Sequence, residues 1–127
     1  MADDLVKTEK DVPDTLEATR VTAEEVMARM KRGEPIVFVD ARTEDVWQSS
    51  SEKLPRALRL SAERMAQGDT FPMVPTDRGI VTYCTCEHEA SSAQLARILA
   101  SRGYTDVHPL YGGFDAWRRA GGELSPK

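Results

Sequence analysis

Gly79-Ile80-Val81-Thr82-Tyr83-Cys84-Thr85-Cys86-Glu87-His88-Glu89-Ala90-Ser91-Ser92-Ala93-Gln94-Leu95 starts as one kind of chain and ends as another. Residues 79–84 are apolar and β-branched with no polar alternation, which suits a strand covered on both faces, as in a parallel sheet. From Ser91 the pattern changes. A serine supplies a cap, Leu95, Ile98, Leu99 and Arg102 recur at helical spacing, and Gly103 stops the run. A strand that ends in cysteine, a short loop and a capped helix therefore follow one another directly.

The flanking sequence repeats the alternation. Thr22-Ala23-Glu24-Glu25 has the spacing of a capping box and opens a helix predicted to run to Lys31 and end at Gly33. Pro35 to Asp40 reads as a second buried strand, Glu44 to Gln48 as a helix, and Ala57 to Leu60 as a short strand. Residues 66–79, with Gly68, Pro72, Pro75 and Gly79, read as loop. Val107 to Leu110 form a last strand, and Gly112-Gly113 lead into a helix through Trp117. Strands alternating with helices predict an α/β three-layer sandwich, with a central parallel sheet of about five strands and helices on both faces. Sites in such sheets lie at the carboxyl ends of strands, and Cys84 sits at one.

Charge divides the chain. Of its 21 acidic and 17 basic residues, residues 1–19 hold six acids (Asp3, Asp4, Glu9, Asp11, Asp14, Glu17) and two lysines. The other 15 acidic and 15 basic residues cancel, so the net charge of −4 belongs to the first 19 residues. That segment is polar, unpatterned and interrupted by Pro13, and is expected to be a mobile acidic leader before a domain spanning 20–127. A neutral domain without a basic cluster argues against nucleic acid. No apolar run approaches the roughly 20 residues that span a bilayer, and no secretory signal opens the chain. The expectation is a cytoplasmic protein that uses no membrane.

Cys84 and Cys86 are the two cysteines, one residue apart. The loop they would close is too small to staple a fold. At a strand end before a helix, successive loop amides and the helix N-terminus stabilise an anion such as a thiolate, which is what nucleophilic sulfur chemistry needs. Cys84, Cys86 and His88 also have the look of a partial metal site, but a structural site wants a fourth ligand and His108 is the only other histidine. No metal is expected. His88 lies between two acids and reads as a solvated loop residue, His108 as a strand-end residue, and Trp47 and Trp117 as core or rim aromatics.

Five segments in order resemble the rhodanese family, across residues 20–123. Asp40-Ala41-Arg42 matches the family's Asp-x-Arg, and Glu44-Asp45-Val46-Trp47 its acidic-aromatic helix. Lys53-Leu54-Pro55-Arg56-Ala57 stands where His-Ile-Pro-Gly-Ala is usual. Val81-Thr82-Tyr83-Cys84 matches the strand before the active loop, and Leu110 to Trp117 the closing Leu-x-Gly-Gly-x-x-x-Trp. The resemblance implies a sulfurtransferase that carries sulfane sulfur as a cysteine persulfide and passes it to cyanide or a thiol, without a cofactor. Its partners would be a small sulfur donor (thiosulfate or a persulfide) and a thiol acceptor, with a protein partner as a further option. Asp40 and Arg42 are expected to support the loop as a surface or half-buried pair.

The active loop departs from the family's Cys-x-x-Gly-x-Arg-Ser. Counted from Cys84, Glu87 replaces the glycine, Glu89 the arginine and Ala90 the serine. Counted from Cys86, Ser91 and Ser92 occupy the Arg-Ser positions. Strand register favours Cys84 as nucleophile and helix register favours Cys86. Thr85, Cys86, Glu87, His88, Glu89, Ala90, Ser91 and Ser92 are the residues expected to line the anion-binding loop around Cys84. Neither count gives Cys-x5-Arg, which argues against phosphatase or arsenate chemistry. Two other readings stand beside sulfur transfer: a binding or regulatory module weak in turnover, favoured by Glu89, and a redox switch using Cys84 and Cys86.

Overall fold

A computed structural model describes residues 20–61, 64–65, 77–85 and 90–127. The capping box forms as predicted. Glu25 N–H donates to Thr22 Oγ1 (3.1 Å) and Thr22 N–H donates to Glu25 Oε1 (2.7 Å), opening α1, Ala23–Lys31. Gly33 follows with φ +88°, the left-handed turn that ends the helix. Then come β1 (Ile36–Asp40), α2 (Glu44–Ser49), β2 (Glu52–Lys53), β3 (Leu58–Arg59), β4 (Gly79–Tyr83), α3 (Ala90–Ser101), β5 (Val107–Pro109), α4 (Gly113–Arg119) and β6 (Ser125–Pro126).

The sheet is parallel throughout, in the order β3-β1-β4-β5. Among the described residues the sheet has four strands where about five were expected, and Val21 adds a single parallel bridge to Leu110 beyond the end of β5. β4 lies at the centre with all five residues buried, the reason its sequence shows no alternation.

Adjacent residues of the central strands enter opposite cores, as strand geometry requires. Val39 and Ile80 join Leu95, Ala96 and Leu99 of α3. Phe38 and Val81 join Val26 of α1 and Phe114 and Trp117 of α4, where Phe38 and Trp117 meet edge to face at 5.1 Å. This is the three-layer sandwich. Each fully buried Leu or Phe contributes about 1.5–3 kcal/mol, so both faces hold the sheet in place. Sequence reasoning missed the small second sheet, in which β2 pairs antiparallel with β6. Two-residue strands carry no periodicity to read. The acidic segment 1–19 and residues 66–76 of the predicted 66–79 loop lie outside the described residues, and Gly79, placed in that loop, opens β4.

Candidate active site

β1 and β4 end together. Their register pairs Asp40 with Tyr83, so the two residues that follow, Ala41 and Cys84, leave the sheet side by side at its carboxyl edge. Ala41 N–H donates to the Tyr83 carbonyl (2.8 Å), which fixes the chain just before the cysteine.

Asp40 is the hub of a polar cluster at that edge. Arg42 grips it through Nε (3.0 and 3.1 Å), Nη2 (2.7 Å) and its backbone N–H (3.1 Å). The Tyr83 hydroxyl donates to Asp40 Oδ2 (2.9 Å) and accepts from Leu54 N–H (3.2 Å). Arg42 also donates to the Glu52 carbonyl (3.0 Å), and its guanidinium lies 4.9 Å over the Phe114 ring. Arg59 donates to the carbonyls of Asp40 and Arg42. The Asp40 and Arg42 side chains are 1% and 2% exposed, so the expected surface or half-buried pair is in fact a fully buried one. Sequence could not reveal this, because Phe114, Tyr83 and residues 52–54 close over the pair from distant parts of the chain.

Burial raises the Tyr83 hydroxyl far above its ordinary range, and the Asp40 charge adds to the effect. The hydroxyl therefore stays protonated and donates at any working pH. Burial alone would lower Arg42, but the bonds and charge of Asp40 outweigh it and its pKa is raised. Arg42 therefore keeps its charge.

Cys84 is 2% exposed and held on three sides. Its carbonyl accepts from Phe114 N–H at the start of α4 (2.8 Å). Its sulfur lies 3.4 Å from Ser92 Oγ, in the first turn of α3, and 3.5 Å from the Thr85 carbonyl. Thr82 Oγ1 donates to the Ser92 carbonyl (2.9 Å), tying that turn to β4. Gly113, at φ +62°, makes the approach of α4 feasible: a Cβ there would stand 2.3 Å from the Cys84 carbonyl oxygen.

Of the predicted loop, Thr85 and Ala90 are exposed, Ser91 is half-buried and Ser92 is buried, while Cys86, Glu87, His88 and Glu89 lie outside the described residues. Ala90 already belongs to α3, so Ser91 lies inside the helix and not at its cap. Ser92, which falls on the family's serine position when counted from Cys86, is the loop residue whose hydroxyl meets the Cys84 sulfur. His108 is the middle residue of β5 and not a strand-end residue. Its ring meets Asp106 (2.8 Å), which also binds Arg29 of α1 (2.7 Å). Among the described residues no three His, Cys, Asp or Glu side chains are grouped to hold a metal. Tyr83, Arg59, Gly113 and the Phe114 amide went unassigned to the site in sequence. Gly112-Gly113 was the one visible signal.

The family model for the rhodanese-like domain matches residues 22–120. The chain belongs to the rhodanese-like family. A thiosulfate sulfurtransferase GlpE from Pseudomonas savastanoi pv. phaseolicola is 30% identical over 102 residues, covering 80% of this chain and 89% of the relative. A sulfurtransferase from Allochromatium vinosum is 31% identical over 105 residues, with the same coverage. A rhodanese-related protein from Thermoplasma volcanium has the same fold, at TM-score 0.64 and 14% identity, covering 84% of this chain and 96% of that one. Among the described residues no helix is long and apolar enough to cross a membrane.

Proposed function

We propose that this rhodanese-like protein is a sulfurtransferase whose Cys84 carries sulfane sulfur. The Cys84 thiolate attacks the outer sulfur of a donor; a new S–S bond forms, the donor's S–S bond breaks, and the leaving group (sulfite from thiosulfate) departs with the electron pair. An acceptor thiolate or cyanide then attacks the outer sulfur of the persulfide and the Cys84 thiolate leaves. The observation that carries this reading is the setting of Cys84, at the carboxyl end of the central strand with its sulfur against the first turn of α3. Relatives named as sulfurtransferases over most of their length support the chemistry. Asp40 and Arg42 act here as a scaffold for the strand end, with no contact to the reacting sulfur required of them.

Intact mass after incubation with thiosulfate or a small persulfide donor tests the proposal. One added sulfur is expected on the unmodified protein and on Cys86→Ser at reduced level, and none on Cys84→Ser. Sulfur retained by Cys84→Ser and lost by Cys86→Ser would make Cys86 the nucleophile. Absence of added sulfur from every donor would favour the binding module that the glutamates of the loop suggest.

A further inference from the structure

Cations reach the carboxyl edge of the sheet from several elements. Arg42 is committed to Asp40, and Arg59 to the carbonyls of Asp40 and Arg42 and to the Glu44 carboxylate (3.3 Å). The sequence from Thr85 to Ser92 carries Glu87 and Glu89 and no lysine or arginine. Arg20 arrives at the same edge from the other side, beyond β5. Main-chain bonds fix its place: Val21 N–H donates to the Pro109 carbonyl (3.0 Å), and Tyr111 N–H donates to the Val21 carbonyl (2.8 Å). The Arg20 guanidinium lies 4.6 Å over the Tyr111 ring.

Tyr111 is level with Cys84. β4 and β5 pair Thr82 with Pro109, and Leu110 N–H continues the ladder by donating to the Thr82 carbonyl (2.8 Å). Cys84 and Tyr111 each come two residues after that pair, on neighbouring strands that lie about 5 Å apart. From Tyr111 the chain turns through Gly112-Gly113 back onto the Cys84 carbonyl, which accepts from Phe114 N–H. The Tyr111 ring is 51% exposed, the more open of two large apolar side chains at the surface among the described residues. An aromatic face holds a guanidinium by its plane and leaves the N–H fork at its rim to meet a carboxylate. An apolar plane and a cation therefore stand together, one strand over from the sulfur.

Thiosulfate carries its charge one bond from the sulfur that Cys84 attacks, so its oxygens stay with the Cys84 loop. A cation one strand away and a ring further out suits a longer molecule. We infer that Arg20 binds the carboxylate of an organic thiol acceptor as that thiol approaches the Cys84 persulfide, and that Tyr111 is the positioning residue for Arg20. The inference rests on Cys84 being the sulfur carrier, and it adds which thiols the site serves: those with a carboxylate several bonds from the sulfur.

The test compares glutathione with its diethyl ester, which keeps the thiol and loses both carboxylate charges. Each is added to full-length protein preloaded from thiosulfate, and loss of the added sulfur is followed by intact mass. In Arg20→Gln the second-order rate with glutathione should fall about fivefold, and with the ester by no more than about twofold. Roughly 0.5 M salt should bring the unmodified protein towards the same ratio. Tyr111→Ala removes the seat of the guanidinium and should lower the glutathione rate by about twofold, and Tyr111→Phe, which keeps the ring, should restore it. Tyr111→Ala also carries the test should Arg20→Gln fail to fold. Calorimetric binding of S-methylglutathione, which accepts no sulfur, should weaken about fivefold in Arg20→Gln. Equal losses with glutathione and the ester, or a Tyr111→Ala that matches the unmodified protein with both, would overturn the inference. Binding of S-methylglutathione that depends on Arg20 in a protein that loads no sulfur supports the Arg20 site while ending the sulfurtransferase reading. Sulfur loading with no dependence on Arg20 overturns the Arg20 site alone.

Discussion

Replacing Gly113 by alanine tests how α4 and the strand end at Cys84 are joined. Two effects add. A non-glycine residue at φ +62° costs roughly 1–2 kcal/mol. The new Cβ would also lie 2.3 Å from the Cys84 carbonyl oxygen and 3.1 Å from the carbonyl carbons of Cys84 and Thr85. Ordinary contacts need about 3.5 Å, so the start of α4 and the Cys84 peptide must part by about 1 Å. Phe114 N–H then loses its bond to that carbonyl, now 2.8 Å, and a buried donor and acceptor left apart cost about 1–3 kcal/mol. The sum is about 3 kcal/mol, or roughly 12 °C in Tm for a domain of this size. Gly33→Ala is the control, because Gly33 has φ +88° but nothing within 4 Å of a new Cβ. It should lose only the backbone part, about 1 kcal/mol or roughly 4 °C. The assays are thermal unfolding and rate of sulfur uptake. A displaced Cys84 should slow uptake in Gly113→Ala by about a hundredfold, and Gly33→Ala should leave it intact. Equal Tm losses for the two variants, or normal uptake in Gly113→Ala, would refute the steric argument.

Asp40→Asn leaves Arg42 buried without its counter-charge and should cost about 3–5 kcal/mol by chemical denaturation. The double variant Asp40→Asn with Arg42→Met should recover much of that loss, and no recovery would show that the pair is not the cause. Asp106 sits below the usual carboxylate range because of its bond to Arg29, with His108 adding to it. A depressed folded pKa gives stability that is present above the unfolded value near pH 4 and lost as pH falls through the folded value. Unfolding of the unmodified protein should therefore grow easier below about pH 4, and Asp106→Asn should flatten that limb by about 0.5 kcal/mol, since Asp106 is 40% exposed. Glu87 and Glu89 bear on donor choice, since thiosulfate is a dianion. Like charges about 6 Å apart repel by roughly 3 kcal/mol at an effective dielectric of 20, and a third of that after screening is close to tenfold in binding. Glu89→Arg should lower the KM for thiosulfate about tenfold and change persulfide use less; an unchanged KM would end the electrostatic explanation.

The parts of the fold legible in the sequence were those with a local cause. Thr22 and Glu25 announce a cap within four residues, and Ile80 to Tyr83 are apolar because both faces of β4 are covered. The hidden parts depend on groups far apart in the chain. Nothing near Asp40 says that Tyr83 will reach it from 43 positions away, and nothing near Arg42 says that Phe114 will cover it. The same holds for the sulfur. Counting along the loop matched Ser91 and Ser92 to the family pattern only from Cys86, because register in sequence cannot express the approach of the first turn of α3 to the Cys84 sulfur. Strand continuity favoured Cys84, and the helix whose register favoured Cys86 brings Ser92 to the Cys84 sulfur.

The β2–β6 pair has a mechanical meaning. Lys127 N–H bonds the Ser51 carbonyl and its ammonium bonds the Trp47 carbonyl, so the far end of the chain is buckled to residues 47–53. Glu52 within the buckle and Leu54 just past it hold Arg42 and the Tyr83 hydroxyl. A pull on Lys127 is thus borne first by two ladder residues and then by the floor of the Asp40 cluster. A surface tether or fusion at that end strains the support of the strand that carries Cys84 before it strains either hydrophobic core.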